Sequence, residues 1–212
     1  MPTVDQLYEN YSQESHFPSL SYGIVANGEP IHHKSFGLSN IESGGRASAR
    51  TLYRIASMSK SFTAMAILKL RDEGYLNLSD AVAEYIPEMV QAGKPTADSP
   101  EITLQHLLTM FAGFPEDNPW GDRQLDVSDE ALLEVLREGI SFSNASGVNF
   151  EYSNLGYALL GKVIANITGQ TYQVYIKENI LEPLGMHDTQ YEYSDVPDEQ
   201  LAQGYLWQDG DW

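Results

Sequence analysis

The sequence predicts an α+β protein whose strands pair as an antiparallel sheet and whose middle is mostly helical. Residues 19–26 alternate in the manner of a strand, and Asn27-Gly28 after them is typical of a tight hairpin turn. Residues 30–37 then supply the returning strand, and strand-like segments come back near the end of the chain. Because strands and helices do not alternate, a doubly wound parallel sheet is disfavoured.

The helical elements follow from apolar periodicity and from residues that start and stop helices. Residues 3–14 predict an amphipathic helix, and residues 58–70 predict a helix rich in Ala, Met and Leu, with Gly74 as its stop signal. The connection over residues 38–50 is polar. Further helices are predicted at residues 79–85, 103–110, 128–138, 155–167 and 171–181, and the late strands at residues 189–193 and 204–207.

Two lobes are expected from this order of elements. Residues 1–55 and 186–212 would form a partial α/β sheet lobe, and residues 56–185 a mostly helical lobe that carries both motifs described below. A length of 212 residues is enough for one large domain or two small ones.

Composition excludes several classes of function. A formal net charge of -18 argues against nucleic acid or an anionic membrane as a partner. The chain has no cysteine, which excludes disulfides, thiol catalysis and Cys-based metal sites. No apolar run approaches the roughly 20 residues of a membrane span. No signal peptide is visible at the start, so we expect a cytoplasmic protein or one whose leader has been removed.

The first candidate motif is the pair Ser57 and Lys60 at the start of the central helix. The two residues are one turn apart, so their side chains share a face. A lysine on an otherwise apolar helix, beside a hydroxyl, is the arrangement that an activated serine nucleophile needs. On local evidence an alternative is equally good, in which Ser57 caps the helix and the Lys60 side chain extends to water.

The second candidate motif is the loop Tyr152-Ser153-Asn154, which precedes an apolar helix. A tyrosine hydroxyl can relay a proton, and an asparagine amide can hold a substrate carbonyl. The triplet from Tyr8 to Asn10 has the same spacing, so the spacing alone carries little weight. The residues that flank Tyr152 distinguish the two triplets.

With their flanking stretches, the two motifs resemble the serine β-lactamase and penicillin-binding-protein superfamily. The resemblance is closest to the class C β-lactamase-related branch, which also holds esterases and D-amino-acid peptidases. The matching stretches occur in the order of that branch, and the resemblance covers most of the chain. They are Arg54–Thr63, Asp72–Asp80, Ile102–Thr109, Phe150–Tyr157 and Leu181–Met186.

The resemblance implies a β-lactamase/transpeptidase-like fold and a serine hydrolase that works through an acyl-enzyme. Ser57 would attack an ester, amide or β-lactam carbonyl of a small-molecule substrate, and Lys60 with Tyr152 would act as the base and then the acid. Asn154 would orient the substrate and the lysine. The backbone N–H of Ser57 would supply one donor of the oxyanion hole. No cofactor and no metal are implied.

The chain departs from the family pattern at two places. The third motif, a Lys-Thr-Gly or His-x-Gly triplet on a strand, has no match after Tyr152. We therefore expect the N-terminal part of a longer protein, with an incomplete sheet that a C-terminal fragment or a second copy would complete. Residues 110–113 read Met-Phe-Ala-Gly where relatives often read His-Thr-Ser-Gly, which bears on the hydrogen bonds of that loop.

Two functions stay open. The leading hypothesis is the serine hydrolase, with small esters or D-amino-acid peptides ranked above β-lactams because no leader to the periplasm is visible. The other is a truncated or degenerate relative that keeps the fold and binds a ligand or partner without turnover. The unmatched third motif motivates it.

Other polar clusters are interpreted as structural. The acidic residues Glu116, Asp117 and Asp122 are predicted to be a solvated loop. The adjacent His32 and His33 would point to opposite faces of a strand, so they are not expected to share a metal ion.

Overall fold

A computed structural model of the chain describes residues 2–117 and 127–212, and its sheet is a three-stranded antiparallel one. The strands are β1 (Ser19–Ala26), β2 (Glu29–Asn40) and β3 (Gly45–Arg46), in the spatial order β1-β2-β3. The turn between β1 and β2 has positive φ at Asn27 (53°) and Gly28 (81°), as the favoured two-residue hairpin requires. The predicted hairpin is confirmed.

The other regular elements of the described chain are helices. Short 3₁₀ helices lie at Ala56–Ser59, Val82–Glu84, Pro87–Val90 and Tyr193–Asp195, and a π-helical turn at Lys177–Leu181. The α-helices are α1 (Pro2–Glu14), α2 (Lys60–Asp72), α3 (Leu104–Thr109), α4 (Asp129–Glu138), α5 (Asn154–Thr168) and α6 (Tyr172–Ile176). The α+β class predicted from the sequence is confirmed.

Hydroxyl side chains cap the starts of four of these helices. Thr103, Ser128, Ser153 and Thr171 accept hydrogen bonds from the backbone N–H three residues on, at the starts of α3, α4, α5 and α6. Such caps satisfy N–H groups that have no partner inside the helix. Gly74, with φ of 81°, follows the end of α2 as predicted.

The chain divides into two units, Met1–Ala56 with His187–Trp212, and Ser57–Met186. The first unit holds the sheet and α1. In it, His32 Nε2 lies 2.7 Å from Asp5 Oδ1 and 3.1 Å from the hydroxyl of Tyr22, which donates to the same carboxylate. The ring of Tyr8 stacks on that of Tyr22 with centroids 4.1 Å apart. These contacts join α1 to the hairpin.

The second unit is built around α2 and α5, which pack against each other. The buried face of α2 includes Ala66, Ile67 and Leu70. The buried residues of α5 are Leu155, Gly156, Leu159, Leu160, Val163 and Ile164. Each fully buried Leu or Ile contributes about 1.5–3 kcal/mol, so this core fixes the start of α5 relative to the start of α2.

The prediction of two late strands is wrong. Residues 189–193 and 204–207 form no strand, and pairing between residues 187 and 212 is limited to isolated bridges, such as Leu52 with Leu201. The Tyr205 hydroxyl accepts from the backbone N–H of Ile41 (2.8 Å) and donates to Glu42. Isolated backbone hydrogen bonds, such as that from Gln203 N–H to the Ser39 carbonyl (2.8 Å), and the Tyr205 side chain therefore hold this segment without a strand ladder.

Candidate active site

Ser57 lies in the short 3₁₀ helix just before α2, and its side chain is exposed. The preceding residue, Ala56, has φ of 46°, in the left-handed region that costs a non-glycine residue about 1–2 kcal/mol. Such strain is concentrated at functional sites in proteins. The chain therefore holds Ser57 at the surface in a turn that the local sequence alone does not favour.

Lys60, the first residue of α2, reaches three side chains at once. Its Nζ donates to Asn154 Oδ1 at 2.6 Å, to the Tyr152 hydroxyl at 2.8 Å and to Ser57 Oγ at 3.2 Å. The same nitrogen lies 4.8 Å from the centroid of the Tyr152 ring. The alternative in which the Lys60 side chain extends to water is therefore wrong, since the ammonium group is directed at the second motif.

Tyr152 completes a triangle of polar atoms. Its hydroxyl lies 2.5 Å from Ser57 Oγ, and either oxygen can donate the hydrogen bond. Burial raises the pKa of Tyr152, but hydrogen bonds from Lys60 and with Ser57, together with the Lys60 charge, outweigh burial and hold that pKa below its ordinary value of 10.0. The phenolate of Tyr152 therefore forms at lower pH than that of an ordinary tyrosine, and its oxygen lies within hydrogen-bond distance of Ser57 Oγ. The structure thus brings together all four residues that the sequence singled out, Ser57, Lys60, Tyr152 and Asn154.

The start of α5 is held by Asp117. Ser153 caps the helix, and Asn154 is its first residue rather than part of the loop. Asp117 Oδ1 accepts from the backbone N–H of Asn154 at 2.6 Å, and Oδ2 accepts from that of Leu155 at 2.8 Å and from the Ser153 hydroxyl at 3.1 Å. A carboxylate is favoured here by the helix dipole and by the unpaired N–H groups.

The prediction of a solvated acidic loop is therefore wrong for Asp117. Glu116 is exposed, and Asp122 lies outside the described residues. Asp117 precedes Asn154 by 37 positions, so no local spacing could have linked the two residues. Its position shortly after the predicted helix 103–110, in a loop rich in glycine and proline, is the one signal that the sequence offers.

The loop over residues 110–113 forms backbone hydrogen bonds with the segment that precedes Tyr152. The carbonyl of Met110 accepts from Glu151 N–H at 2.9 Å, and that of Gly113 from Ser143 N–H at 3.0 Å. Gly113 has φ of 85°, and a Cβ there would lie 2.2 Å from the Asn144 carbonyl oxygen, so only glycine fits. Residues 110–112 differ from the family pattern, and the loop is held through its main-chain carbonyl groups.

Tyr157 is a further side chain of the site that the sequence reasoning did not single out. It lies one turn into α5, and its ring centroid is 5.6 Å from Lys60 Nζ. Its hydroxyl donates to the carbonyl of Leu108 at 3.0 Å, which ties α5 to α3. Burial and the neighbouring Tyr152 raise the pKa of Tyr157, so it is a weaker acid than Tyr152.

The two adjacent histidines lie on β2, in the unit that does not contain the four residues of the candidate site. His32 contacts Asp5 and Tyr22, while His33 Nε2 lies 3.2 Å from Ser35 Oγ. Residues 2–117 and 127–212 hold no cluster of three His, Asp or Glu side chains suited to a metal ion. Within those same ranges, none of the helices combines the length and apolarity needed to cross a bilayer.

Comparison with known proteins decides the family. A family model described as Beta-lactamase matches residues 4–212. The chain belongs to that family. The resemblance inferred from the motifs is thus confirmed, as is the β-lactamase/transpeptidase-like fold. Proteins of this family and fold are serine hydrolases in general.

Three relatives of this Beta-lactamase family member illustrate the likeness. Protein flp of Staphylococcus aureus strain MW2 is 36% identical over 204 residues, which are 95% of this chain and 40% of that protein. The octameric penicillin-binding protein homologue of Pyrococcus abyssi matches with a TM-score of 0.85 and 30% identity, over 100% of this chain and 49% of that one. A class C beta lactamase matches with a TM-score of 0.80 and 27% identity, over 96% and 54%. The chain therefore spans about two fifths of its curated relative and about half of these structures.

Proposed function

We propose that this chain carries the acylation centre of a serine hydrolase, with Ser57 as nucleophile and Lys60 with Tyr152 as the base and acid pair. The observation that carries the proposal is the set of contacts around one ammonium group. Lys60 Nζ meets Ser57 Oγ, the Tyr152 hydroxyl and Asn154 Oδ1, while Ser57 and Tyr152 are 2.5 Å apart. A nucleophile, a base and a group that orients the base are the parts that covalent catalysis requires.

The acylation step follows from these contacts. The Ser57 oxygen attacks the carbonyl carbon of the substrate, and its proton passes to the phenolate form of Tyr152, which Lys60 stabilises. The carbonyl π electrons move to the oxygen, which the backbone N–H of Ser57 would stabilise as an oxyanion. When the tetrahedral intermediate collapses, the bond to the leaving group breaks and Tyr152 returns the proton to that group. The product is an acyl ester of Ser57.

Deacylation reverses the roles with water in place of serine. Tyr152 takes a proton from a water molecule as that water attacks the acyl carbon, and the proton is then passed to the Ser57 oxygen as the ester bond breaks. Asn154 contributes by holding Lys60 through its Oδ1 atom and by presenting its amide toward a substrate carbonyl. The four side chains are thereby restored for another cycle.

The substrate class that fits this chemistry is a small ester, amide or β-lactam. Ser57 is exposed, so an acyl group can approach it from solvent, and each proton transfer above uses side chains and water. We further propose that a C-terminal fragment or a second copy of the chain completes the sheet. The neighbour from Pyrococcus abyssi is octameric, which supports association between copies.

A second candidate is a relative that keeps the fold and binds a ligand or partner without turnover. Such a protein could still be acylated at Ser57 and then fail to release the acyl group.

Intact-mass spectrometry tests the proposal. The 212-residue chain is incubated with a fluorophosphonate and, separately, with a penicillin, and the Ser57→Ala variant is the control. We expect a single adduct that is absent from the variant. A penicillin adduct that disappears with time supports the hydrolase, and one that persists supports binding without turnover. No adduct in a chain that is folded by circular dichroism would contradict both the activated serine and the proposed enzyme.

A further inference from the structure

We propose that Asp117 is a positioning residue of this centre, which holds the start of α5 so that Asn154 meets Lys60 and which places a negative charge near Tyr152. The proposal rests on the proposed function and names one more residue that the same chemistry needs. Nothing in the local sequence marks Asp117, since its partners lie 36 to 38 positions later.

The first argument is geometric. A 2.6 Å hydrogen bond joins Asp117 Oδ1 to the backbone nitrogen of Asn154, and a second one of 2.6 Å joins Asn154 Oδ1 to Lys60 Nζ. Asn154 therefore links the Asp117 carboxylate to the Lys60 ammonium group through two hydrogen bonds. A change at Asp117 that shifts the first residue of α5 moves the amide that orients Lys60. Displacement of a catalytic group by about 1 Å costs up to about 100-fold in rate.

The second argument concerns how completely Asp117 holds this end of the helix. Among the first N–H groups of α5, those of Asn154 and Leu155 are bonded to Asp117, and that of Gly156 is bonded to the Ser153 hydroxyl at 3.1 Å. The Ser153 hydroxyl in turn donates a hydrogen bond to Asp117. The carboxylate and the serine thus share the capping of one helix start, and Asp117 takes the two positions nearest to Tyr152.

The third argument is electrostatic. The groups that act on Tyr152 are Lys60 from α2, Ser57 from the turn before it, Asp117, and Tyr157 from α5. Lys60 and the hydrogen bond with Ser57 lower the pKa of Tyr152, and the charge of Asp117 raises it. Ser57 and Asn154, the other side chains that accept hydrogen bonds from Lys60, are neutral, so Asp117 is the carboxylate whose charge opposes that of Lys60 at Tyr152. A base kept at a moderate pKa can both take and return a proton near neutral pH.

The test compares Asp117→Asn with Asp80→Asn. Asp80 is a matched control, because its carboxylate also accepts from a backbone N–H, at Asn77, and from a tyrosine hydroxyl, at Tyr85, and none of these residues belongs to the site. The pKa of Tyr152 is followed by NMR with ¹³C-labelled tyrosine, and Tyr152→Phe assigns its signal among the 13 tyrosines. The rate of fluorophosphonate labelling at Ser57 is measured in parallel.

We expect Asp117→Asn to lower the pKa of Tyr152 and to slow labelling about 10- to 100-fold, with both quantities unchanged in Asp80→Asn. An Asp117→Asn chain that matches Asp80→Asn in both would overturn the proposal, and so would slower labelling with an unchanged Tyr152 pKa. If Asp117→Asn does not fold, Asp117→Ser keeps an oxygen acceptor without the charge and is judged by the same pKa. Absence of labelling in the wild-type chain counts against the proposed function alone, because the Tyr152 titration needs no reaction.

Discussion

Two tyrosines, one in each unit of the chain, have pKa values shifted in opposite directions from the ordinary 10.0. The Tyr22 hydroxyl donates to Asp5, and burial together with that carboxylate raises the pKa of Tyr22 to about 12. Tyr152 accepts from Lys60, and its pKa is lowered although burial acts the other way. The sign of the neighbouring charge thus decides whether a phenol serves as a fixed hydrogen-bond donor or as a proton carrier.

The helices next to the two tyrosines also differ in how deeply their leucines are buried. Tyr22 is covered by α1, whose Leu7 is 65% exposed. Tyr152 lies two residues before the start of α5, whose Leu160 is fully buried. A structural contact tolerates a loosely covered helix, whereas a catalytic pair has to be held to a fraction of an ångström. The predictions below test this contrast from the largest expected effect to the smallest.

Removal of the ammonium group of Lys60 is expected to have the largest effect. Lys60→Met should slow fluorophosphonate labelling of Ser57 by roughly 10²- to 10⁴-fold, the contribution typical of a general acid or base. Lys69→Met is the matched control on the same helix, since Lys69 pairs with Glu73 on the exposed surface. Equal labelling rates in Lys60→Met and Lys69→Met would remove Lys60 from the mechanism.

The two helices should differ in how much a leucine contributes to stability. Leu160→Ala should lower the free energy of unfolding by about 2–5 kcal/mol, because it leaves a cavity in the core of α2 and α5. Leu7→Ala should change it by no more than about 0.5 kcal/mol, since Leu7 is exposed. Urea unfolding followed by circular dichroism measures both values. Similar losses for the two variants would contradict the contrast between the helices.

Loss of the hydroxyl should matter at one tyrosine only. Tyr152→Phe removes the proton acceptor next to Ser57 and should slow labelling about 100-fold. Tyr22→Phe removes the hydrogen bond to Asp5 and should leave labelling within about twofold of the wild-type rate. The comparison of the two rate constants, each in a chain verified as folded, is the check. A wild-type rate in Tyr152→Phe would argue that Lys60 acts on Ser57 alone.

The smallest effect concerns the pH dependence of the first unit. Hydrogen bonds from Tyr22 and His32 hold the pKa of Asp5 below its ordinary 3.8, so the stability that Asp5 contributes is present above that value and is lost as pH falls through the lowered pKa. The contribution of Tyr22 is present below 10.0 and is lost as pH rises toward about 12. Asp5→Asn should abolish the acidic loss and return the pKa of Tyr22 toward 10.0. Denaturant titrations across pH and phenolate absorbance measure the two quantities, and an unchanged Tyr22 pKa would rule out this account of the cluster.

Local chemistry made much of this fold and site predictable. The hairpin followed from Asn27-Gly28 and the helix starts from Thr103 and Ser128, because turns and caps depend on residues within a few positions. The spacing of Ser57 and Lys60 likewise placed them one turn apart. By contrast, residues 204–207 were predicted to form a strand, although a strand exists only where another lies beside it. Asp117 was missed for the same reason, since its partners are distant in the sequence and meet it only through the fold.

The central claim is that Lys60 makes Tyr152 a stronger acid than an ordinary tyrosine, in contact with Ser57. The most direct test is the pKa of Tyr152, measured by ¹³C NMR in the wild-type chain and in Lys60→Met, with the Tyr152 signal assigned through Tyr152→Phe. The account predicts a pKa below the ordinary 10.0 in the wild type and a higher one in Lys60→Met. A wild-type Tyr152 that titrates at or above 10.0, or a value that Lys60→Met leaves unchanged, would contradict it.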